Sequence, residues 1–145
     1  MTSAYFDSAI IVKLYVQEAN SPNAVALVGD ETAPYPLTPW QDVETRTAMR
    51  LKAFRGEITA NELSVSLAAF DEDIRLGRWE TPPHDPARIW RLTGELSARH
   101  AATVGCRTLD LVHVAAALAV GATAFLTFDA RQKEVARLEG LEVKP

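Results

Sequence analysis

Four acidic residues stand at positions from which their side chains can do chemistry together. Asp7 and Asp129 each end a short apolar run, Asp110 stands near the start of a long apolar segment, and Glu44 lies within an amphipathic one. Carboxylates brought close together repel one another and hold protons unless a multivalent cation neutralises them. Acid-only clusters select hard cations, so the set predicts an Mg²⁺ or Mn²⁺ site that activates water and holds a phosphate.

Asp110 has the most unusual surroundings of the four. From Leu109 to Val120 the chain is apolar except at Asp110 and His113, which predicts a buried helix. A buried carboxylate needs a cation, good hydrogen bonds or a metal ion, and no Lys or Arg lies within a turn on its C-terminal side. We therefore expect its partner to come from elsewhere in the chain or from solution. His113 is interpreted as a hydrogen-bonded core histidine, the alternative being a metal ligand or a base.

Each acid taken alone has an ordinary structural explanation. Asp7 and Asp129 stand at N-cap positions, and Gln132, three residues after Asp129, is placed for a reciprocal cap. Asp110 in a first turn gains from the helix dipole, and Glu44 is explained as the solvated flank of an amphipathic helix. The set is more informative than its members, because carboxylates brought together repel one another unless a multivalent cation neutralises them.

Length, composition and charge limit the class of protein. The 145 residues, 48% of them hydrophobic, predict one domain over residues 1–145. The net charge of -4 argues against a broad basic face for nucleic acid, but not against a small site that first loads a cation. Cys106 is the only cysteine, which excludes an internal disulfide, and the amino terminus lacks a secretory pattern, so we expect a cytoplasmic protein. Leu109 to Leu126 approaches the length of a membrane span but contains charged residues and Gly121, so no membrane association is expected.

Short apolar runs predict the strands. They are expected at Ser3–Phe6, Ala33–Thr38, Arg78–Thr81, Ala122–Thr127 and Leu141–Val143. Pro34 and Pro36 each remove a ladder donor from the second of these, which makes it the weakest strand prediction.

Caps and helical periodicity predict the helices between the strands. They are expected at Ala9–Val16, Ser21–Val28, Pro39–Phe54, Thr59 to Gly77, Asp85 to His100, Leu109–Val120 and Asp129 to Gly140. The third helix carries an apolar stripe that predicts its buried face, at Val43, Thr47, Leu51 and Phe54. Alternating strands and helices predict an α/β fold, with a parallel sheet covered on both faces and ligands beyond the carboxyl ends of the strands. The four acids are therefore expected to converge on one crevice.

Four short motifs carry a resemblance to a known family. They are Phe6-Asp7-Ser8-Ala9 followed by Lys13-Leu14-Tyr15, Glu44 with Arg46 and Arg50, Arg107-Thr108-Leu109-Asp110 followed by His113 and Ala116, and Leu126-Thr127-Phe128-Asp129. In this order the chain resembles the PIN-domain ribonucleases, and specifically the VapC-type toxins of bacterial toxin–antitoxin pairs. The resemblance covers nearly the whole chain.

The resemblance implies a fold, an activity and partners. The fold is a three-layer α/β/α sandwich with a central, mainly parallel sheet of four or five strands. The activity is that of an Mg²⁺- or Mn²⁺-dependent endoribonuclease, in which Asp7, Glu44, Asp110 and Asp129 form the acidic quartet and metal-activated water leaves 5′-phosphate ends. The partners are RNA, with tRNA and rRNA as the candidate substrates, a second copy in a homodimer, and a small cognate antitoxin that also binds operator DNA.

A metal site that cuts RNA also needs residues that orient its carboxylates and residues that hold the RNA phosphates. Ser8, Thr108 and Thr127 are expected to orient the carboxylates, although hydroxyl residues at element starts are commonly caps. Lys13, Arg46 and Arg107 are expected to hold RNA phosphates, the alternative being ordinary surface charge.

The sequence is also compatible with two other classes of protein. One is a structure-specific DNA nuclease on a similar fold. The other is a non-catalytic α/β binding module in which the acids only cap helices, so that each could be replaced with a modest loss of stability.

Overall fold

The computed structural model describes residues 4–145, which form two compact units. The first, called the sheet unit here, comprises residues 4–7 and Pro82–Pro145, and the second, the helical unit, comprises Ser8–Thr81. Strands and helices alternate along both units and every strand pairing is parallel, so the predicted α/β class is confirmed. Ser3 of the predicted first strand lies outside the described residues. Within residues 4–145, no helix is long and apolar enough to cross a membrane.

The elements follow the predicted order closely. The strands are β1 (Ala4–Phe6), β2 (Tyr35–Pro36), β3 (Trp79–Glu80), β4 (Ala124–Leu126) and β5 (Glu142–Lys144). The helices are α1 (Ser8–Tyr15), α2 (Ser21–Gly29), α3 (Pro39–Phe54), α4 (Ala60–Arg75), α5 (Pro86–Leu96), α6 (Ala102–Val104), α7 (Thr108–Ala119) and α8 (Ala130–Leu138), with a π-helical turn at Ser97–Ala101 between α5 and α6.

The sheet unit is built on three parallel strands in the order β1-β4-β5. The register sets Phe6 opposite Leu126, and the pairing continues one residue further, because the Asp7 N–H donates to the Leu126 carbonyl at 3.0 Å. On the other side of β4, the Thr127 N–H donates to the Lys144 carbonyl at 3.0 Å. Asp7 and Thr127 are therefore neighbours at the carboxyl edge of this sheet.

Helix α7 forms much of the core of the sheet unit, where it packs against α5 and α8. Every residue from Leu111 to Ala117 is buried, as the apolar run predicts. The prediction is wrong for the first turn, because Leu109 is 59% exposed and Asp110 only half-buried. The first turn of α7 lies at the surface, so Asp110 is not the buried carboxylate that the sequence suggests.

In the helical unit, α1 packs against α2, α3 and α4. A buried cluster of Val12, Val16 and Met49 joins α1 to α3, and side chains of α4 pack against it. Helix α3 begins with the predicted capping box between Thr38 and Gln41.

The buried face of α3 is not the predicted one. The apolar stripe is exposed: Val43 (65%), Thr47, Leu51 (42%) and Phe54 (87%). The helix instead buries Gln41, Thr45 and Met49. Gln41 is buried with its side-chain oxygen bound by the N–H and the hydroxyl of Thr38, so the capping box satisfies a polar group that periodicity counts as solvent-facing.

Strands β2 and β3 pair in parallel within the helical unit. The prolines shorten β2 to two residues without preventing the pairing. The donors toward β3 are the N–H groups of Tyr35, to the Arg78 carbonyl at 2.7 Å, and of Leu37, to the Glu80 carbonyl at 2.9 Å. Pro36 stands between these donors, where the ladder needs no N–H.

Candidate metal centre

A buried hydrogen-bonded pair, Asp7 and Thr127, begins the site. Asp7 is 6% exposed and Thr127 is fully buried. The Thr127 hydroxyl donates to Oδ2 of Asp7 at 3.0 Å and accepts from the backbone N–H of Asp129 at 3.0 Å. Parallel pairing of β1 with β4 brings these residues together, since the carboxyl ends of both strands meet at one edge.

Asp129 and Gln132 extend the site along the start of α8. Oδ1 of Asp129 accepts from the Gln132 N–H at 2.8 Å, so the predicted N-cap is present. The reciprocal half of the predicted cap is replaced, because Nε2 of Gln132 donates instead to Oδ1 of Asp110, at 3.0 Å. The side chain of Gln132 therefore joins the cap of α8 to the first turn of α7.

The Asp110 carboxylate has hydrogen-bond partners, although no Lys or Arg follows it within a turn of the sequence. Oδ1 accepts from Gln132, and Oδ2 accepts from the backbone N–H of Arg107 at 3.2 Å, which closes the first turn of α7. A continuous hydrogen-bonded path thus links three of the predicted acids within the sheet unit. We call its members the acid edge: Asp7, Thr127, Asp129, Gln132 and Asp110.

The spacing of the three acids limits how they can hold a metal ion. Among the described residues, Asp7, Asp110 and Asp129 do not form a set with oxygens all within 4.8 Å of one another. Mg²⁺ commonly takes only one or two carboxylates directly and keeps several waters. The all-oxygen donors of the acid edge therefore fit a hydrated hard cation better than a dry cage of carboxylates.

His113 lies closer to the acids than its position in the sequence suggests. It is 1% exposed, and its Nδ1 shares a hydrogen bond of 2.9 Å with the Tyr5 hydroxyl, as expected of a core histidine. A ring nitrogen of His113 also lies within 4.8 Å of a carboxylate oxygen of Asp7. Helical spacing relates His113 only to Asp110, so its nearness to Asp7 comes from the tertiary fold. The histidine is thus a candidate site residue that sequence reasoning set aside.

The acid edge places a negative field around its surface. Burial raises the pKa of the Cys106 thiol, and the carboxylates of Asp110 and Asp129 raise it further, while Arg131 acts in the opposite direction. Of these causes, the two carboxylates disfavour a negative charge near Cys106 and favour a positive one.

The remaining acid and the predicted hydroxyl residues lie as follows. Glu44 is half-buried on α3 of the helical unit. Ser8 begins α1, is 2% exposed, and its Oγ has no hydrogen-bond partner in the part of the chain that the structure describes. Thr108 is the exposed first residue of α7.

Two of the three predicted phosphate-binding residues already have ionic partners. Lys13 pairs with Glu18 at 2.7 Å. Arg46 pairs with Asp42 and Asp71, each at 2.7 Å, and its guanidinium stacks over a phenylalanine ring. Arg107 is exposed, one turn from Asp110.

A family model described as PIN domain matches residues 4–138, a range that includes all four of the predicted acids. A search of curated proteins found no match to the chain.

Proposed function

The chain belongs to the PIN-domain family, and from that premise we propose that it is a metal-dependent endoribonuclease acting as the toxin of a toxin–antitoxin pair. PIN domains are typically metal-dependent nucleases, and the acids of this chain suit a metal site of that kind. RNA as the substrate, and toxicity as the outcome, rest on the resemblance of its motifs to the VapC-type toxins.

The acid edge is the observation that supports the proposal most strongly. An isolated N-cap explains Asp129, but it does not explain why Thr127 binds both Asp7 and Asp129 or why Gln132 reaches across to Asp110. Side chains that hold carboxylates in fixed orientations are typical of metal sites, where second partners orient the ligands.

The residues of the acid edge have different roles in the proposed reaction. Asp7 and Asp110 hold the cation, and Asp129 contributes through water. A bound Mg²⁺ or Mn²⁺ would lower the pKa of the water it binds and would neutralise charge on the phosphoryl oxygens. Thr127 keeps Asp7 oriented, and the burial of Asp7 limits access of bulk water to it. Hydrolysis by water leaves a 5′-phosphate on one product.

The proposal also includes residues that rest on the sequence motifs alone. Glu44 is the fourth acid of the quartet by resemblance, and Ser8 and Thr108 are proposed to orient carboxylates. Of the basic residues, Arg107 is the best candidate for RNA phosphates, because it is exposed beside the acid edge. Lys13 and Arg46 would first have to leave their ion pairs.

We propose two protein partners, a second copy of the chain and a small antitoxin. The exposed apolar side chains of α3, Val43, Leu51 and Phe54, support such interfaces, since contiguous apolar side chains on a surface commonly mark a protein contact. The lone Cys106 suits a reducing cytoplasm, where we place the protein.

Cleavage of RNA by the purified chain tests the proposal. We expect Mg²⁺- or Mn²⁺-dependent cutting that leaves 5′-phosphate ends, with Asp7→Asn and Asp110→Asn each at least about 100-fold slower, because a neutral amide weakens the hold on the cation. The measurement is the initial rate on structured RNA, with the new ends identified by sequencing.

Asp85→Asn is the matched control for these substitutions. Asp85 is an exposed cap acid of α5, whose Oδ1 accepts from the Ala87 N–H, and Asn caps a helix about as well as Asp does. Its rate should equal that of the wild type. Faster cutting of flap DNA than of RNA would instead identify a DNA nuclease, and equal rates for the wild type and Asp110→Asn would overturn the catalytic proposal.

A further inference from the structure

Gln132 is a buried polar residue of the acid edge whose side chain lies between α8 and the first turn of α7. It is 4% exposed and stands three residues into the amino end of α8. Its backbone N–H donates to the cap carboxylate of Asp129, and its side-chain Nε2 donates to Asp110. One residue therefore contacts two of the predicted acids.

The other end of the same carboxamide is unsatisfied. Oε1 of Gln132 is buried and has no hydrogen-bond partner in the described part of the chain. A flip of the amide would turn this oxygen toward the Asp110 carboxylate, so the contact with Asp110 sets which end is the oxygen. A buried acceptor without a partner is costly, and native proteins commonly supply a partner through water or a bound ion.

We propose that Gln132 is a positioning residue of the metal site, an inference that rests on the proposed function. Its Nε2 holds Asp110 in the orientation that the cation requires. Its Oε1 accepts a hydrogen bond from hydration water of the same cation. The two ends of one planar amide thus link a carboxylate to the water around the ion it binds, which is the role that outer partners take in other metal sites.

The test measures metal binding rather than cleavage. Binding of Mn²⁺ to the full chain is followed by the electron paramagnetic resonance signal of free Mn²⁺ for the wild type and Gln132→Met, which keeps the length of the side chain and removes both polar ends. We expect the Kd to rise about tenfold or more. Thr93→Val is the control for general destabilisation, because the buried Thr93 hydroxyl bonds, within residues 4–145, only to the Ile89 carbonyl of its own helix. Its Kd should match the wild type.

A double-mutant cycle with Asp110→Asn separates positioning from a merely structural effect. If Gln132 acts through Asp110, Gln132→Met changes the Kd little once Asp110 is replaced. Equal fold-changes in both backgrounds would overturn the inference, as would wild-type affinity in Gln132→Met. A wild-type chain that binds no Mn²⁺ would overturn the proposed function itself, so the two failures are distinguishable.

Discussion

The hydroxyl of Thr127 makes one buried and one partly buried hydrogen bond, and its two partners are far apart from each other in the chain. It donates to Asp7, which is 120 positions away, and accepts from the N–H of Asp129. A hydroxyl that donates and accepts at once holds both of its partners in place.

Thr127→Val is expected to damage both stability and metal binding. Valine has the shape of threonine but no hydroxyl, so Oδ2 of Asp7 and the N–H of Asp129 each lose their hydrogen bond to residue 127. We therefore expect a loss of about 1–3 kcal/mol in the free energy of unfolding. Mn²⁺ affinity should fall about 10- to 100-fold. Urea unfolding and Mn²⁺ titration measure the two effects.

Thr127→Ser is the control, since it keeps the hydroxyl and loses only a methyl group. It should retain most of the metal affinity. A valine variant that binds Mn²⁺ as well as the wild type would mean that Thr127 serves the fold alone.

At the scale of elements, an ionic cluster joins the π-helical turn after α5 to Glu139, the residue that caps the carboxyl end of α8. Glu139 accepts from Nε2 of His100 at 2.8 Å and pairs with the guanidinium of Arg99 at 2.6 Å. Burial by itself raises the pKa of Glu139, but the hydrogen bonds from His100 and Arg99 outweigh it, so the pKa lies below the usual range for Glu.

The depressed pKa of Glu139 gives stability a defined dependence on pH. Its contribution is present above the ordinary pKa of Glu, near 4.5, and is lost as the pH falls through the lower pKa of the folded state. We therefore expect Glu139→Gln to reduce the free energy of unfolding by about 1 kcal/mol at pH 6 and to approach the wild type near pH 3. Urea unfolding between these pH values measures the difference. A difference that stays constant with pH would contradict the assignment.

Elements whose signals are local could be predicted from the sequence. The capping boxes of α3, from Thr38, and of α4, from Thr59, join residues three apart, so the motif itself contains the structure. The cap of α8 by Asp129 was predictable for the same reason. The hydrogen bond from the Gln132 side chain was not predictable, because it depends on the nearness of Asp110, which lies in another helix.

Burial of helix faces was predictable only in part. The buried segment of α7 was correctly predicted, because a helix that is apolar on nearly every side has no polar face to turn toward solvent. Periodicity failed on α3, because its stripe of Val43, Leu51 and Phe54 faces outward while polar Gln41 and Thr45 are buried. Periodicity identifies an amphipathic helix but does not say whether the chain itself or a partner covers the apolar side.

At the scale of the whole molecule, the exposed stripe of α3 leads to a prediction about assembly. Phe54 is 87% exposed, so Phe54→Ser should change the stability of the isolated chain by less than about 0.5 kcal/mol. If the proposed homodimer uses this stripe, the same substitution should weaken self-association at least about 30-fold, as expected for a large apolar side chain at the centre of an interface. Analytical ultracentrifugation over a range of concentrations measures this.

Val25→Ser is the matched control for assembly. Val25 is 55% exposed on α2, outside the stripe, and its replacement should leave self-association unchanged. Equal association of the wild type and Phe54→Ser would exclude the stripe from the interface, and a wild type that stays monomeric would remove the homodimer proposal.

The pairing of β1 with β4 has a consequence for how the protein is made. In the described chain, β4 is the sheet neighbour of β1, with Ala4 opposite Ala124. During synthesis, Asp7 therefore leaves the ribosome long before Thr127, Asp129 and Gln132 exist to hold the acid edge together. The acid edge consequently forms only after β4 and the first turn of α8 have been synthesised.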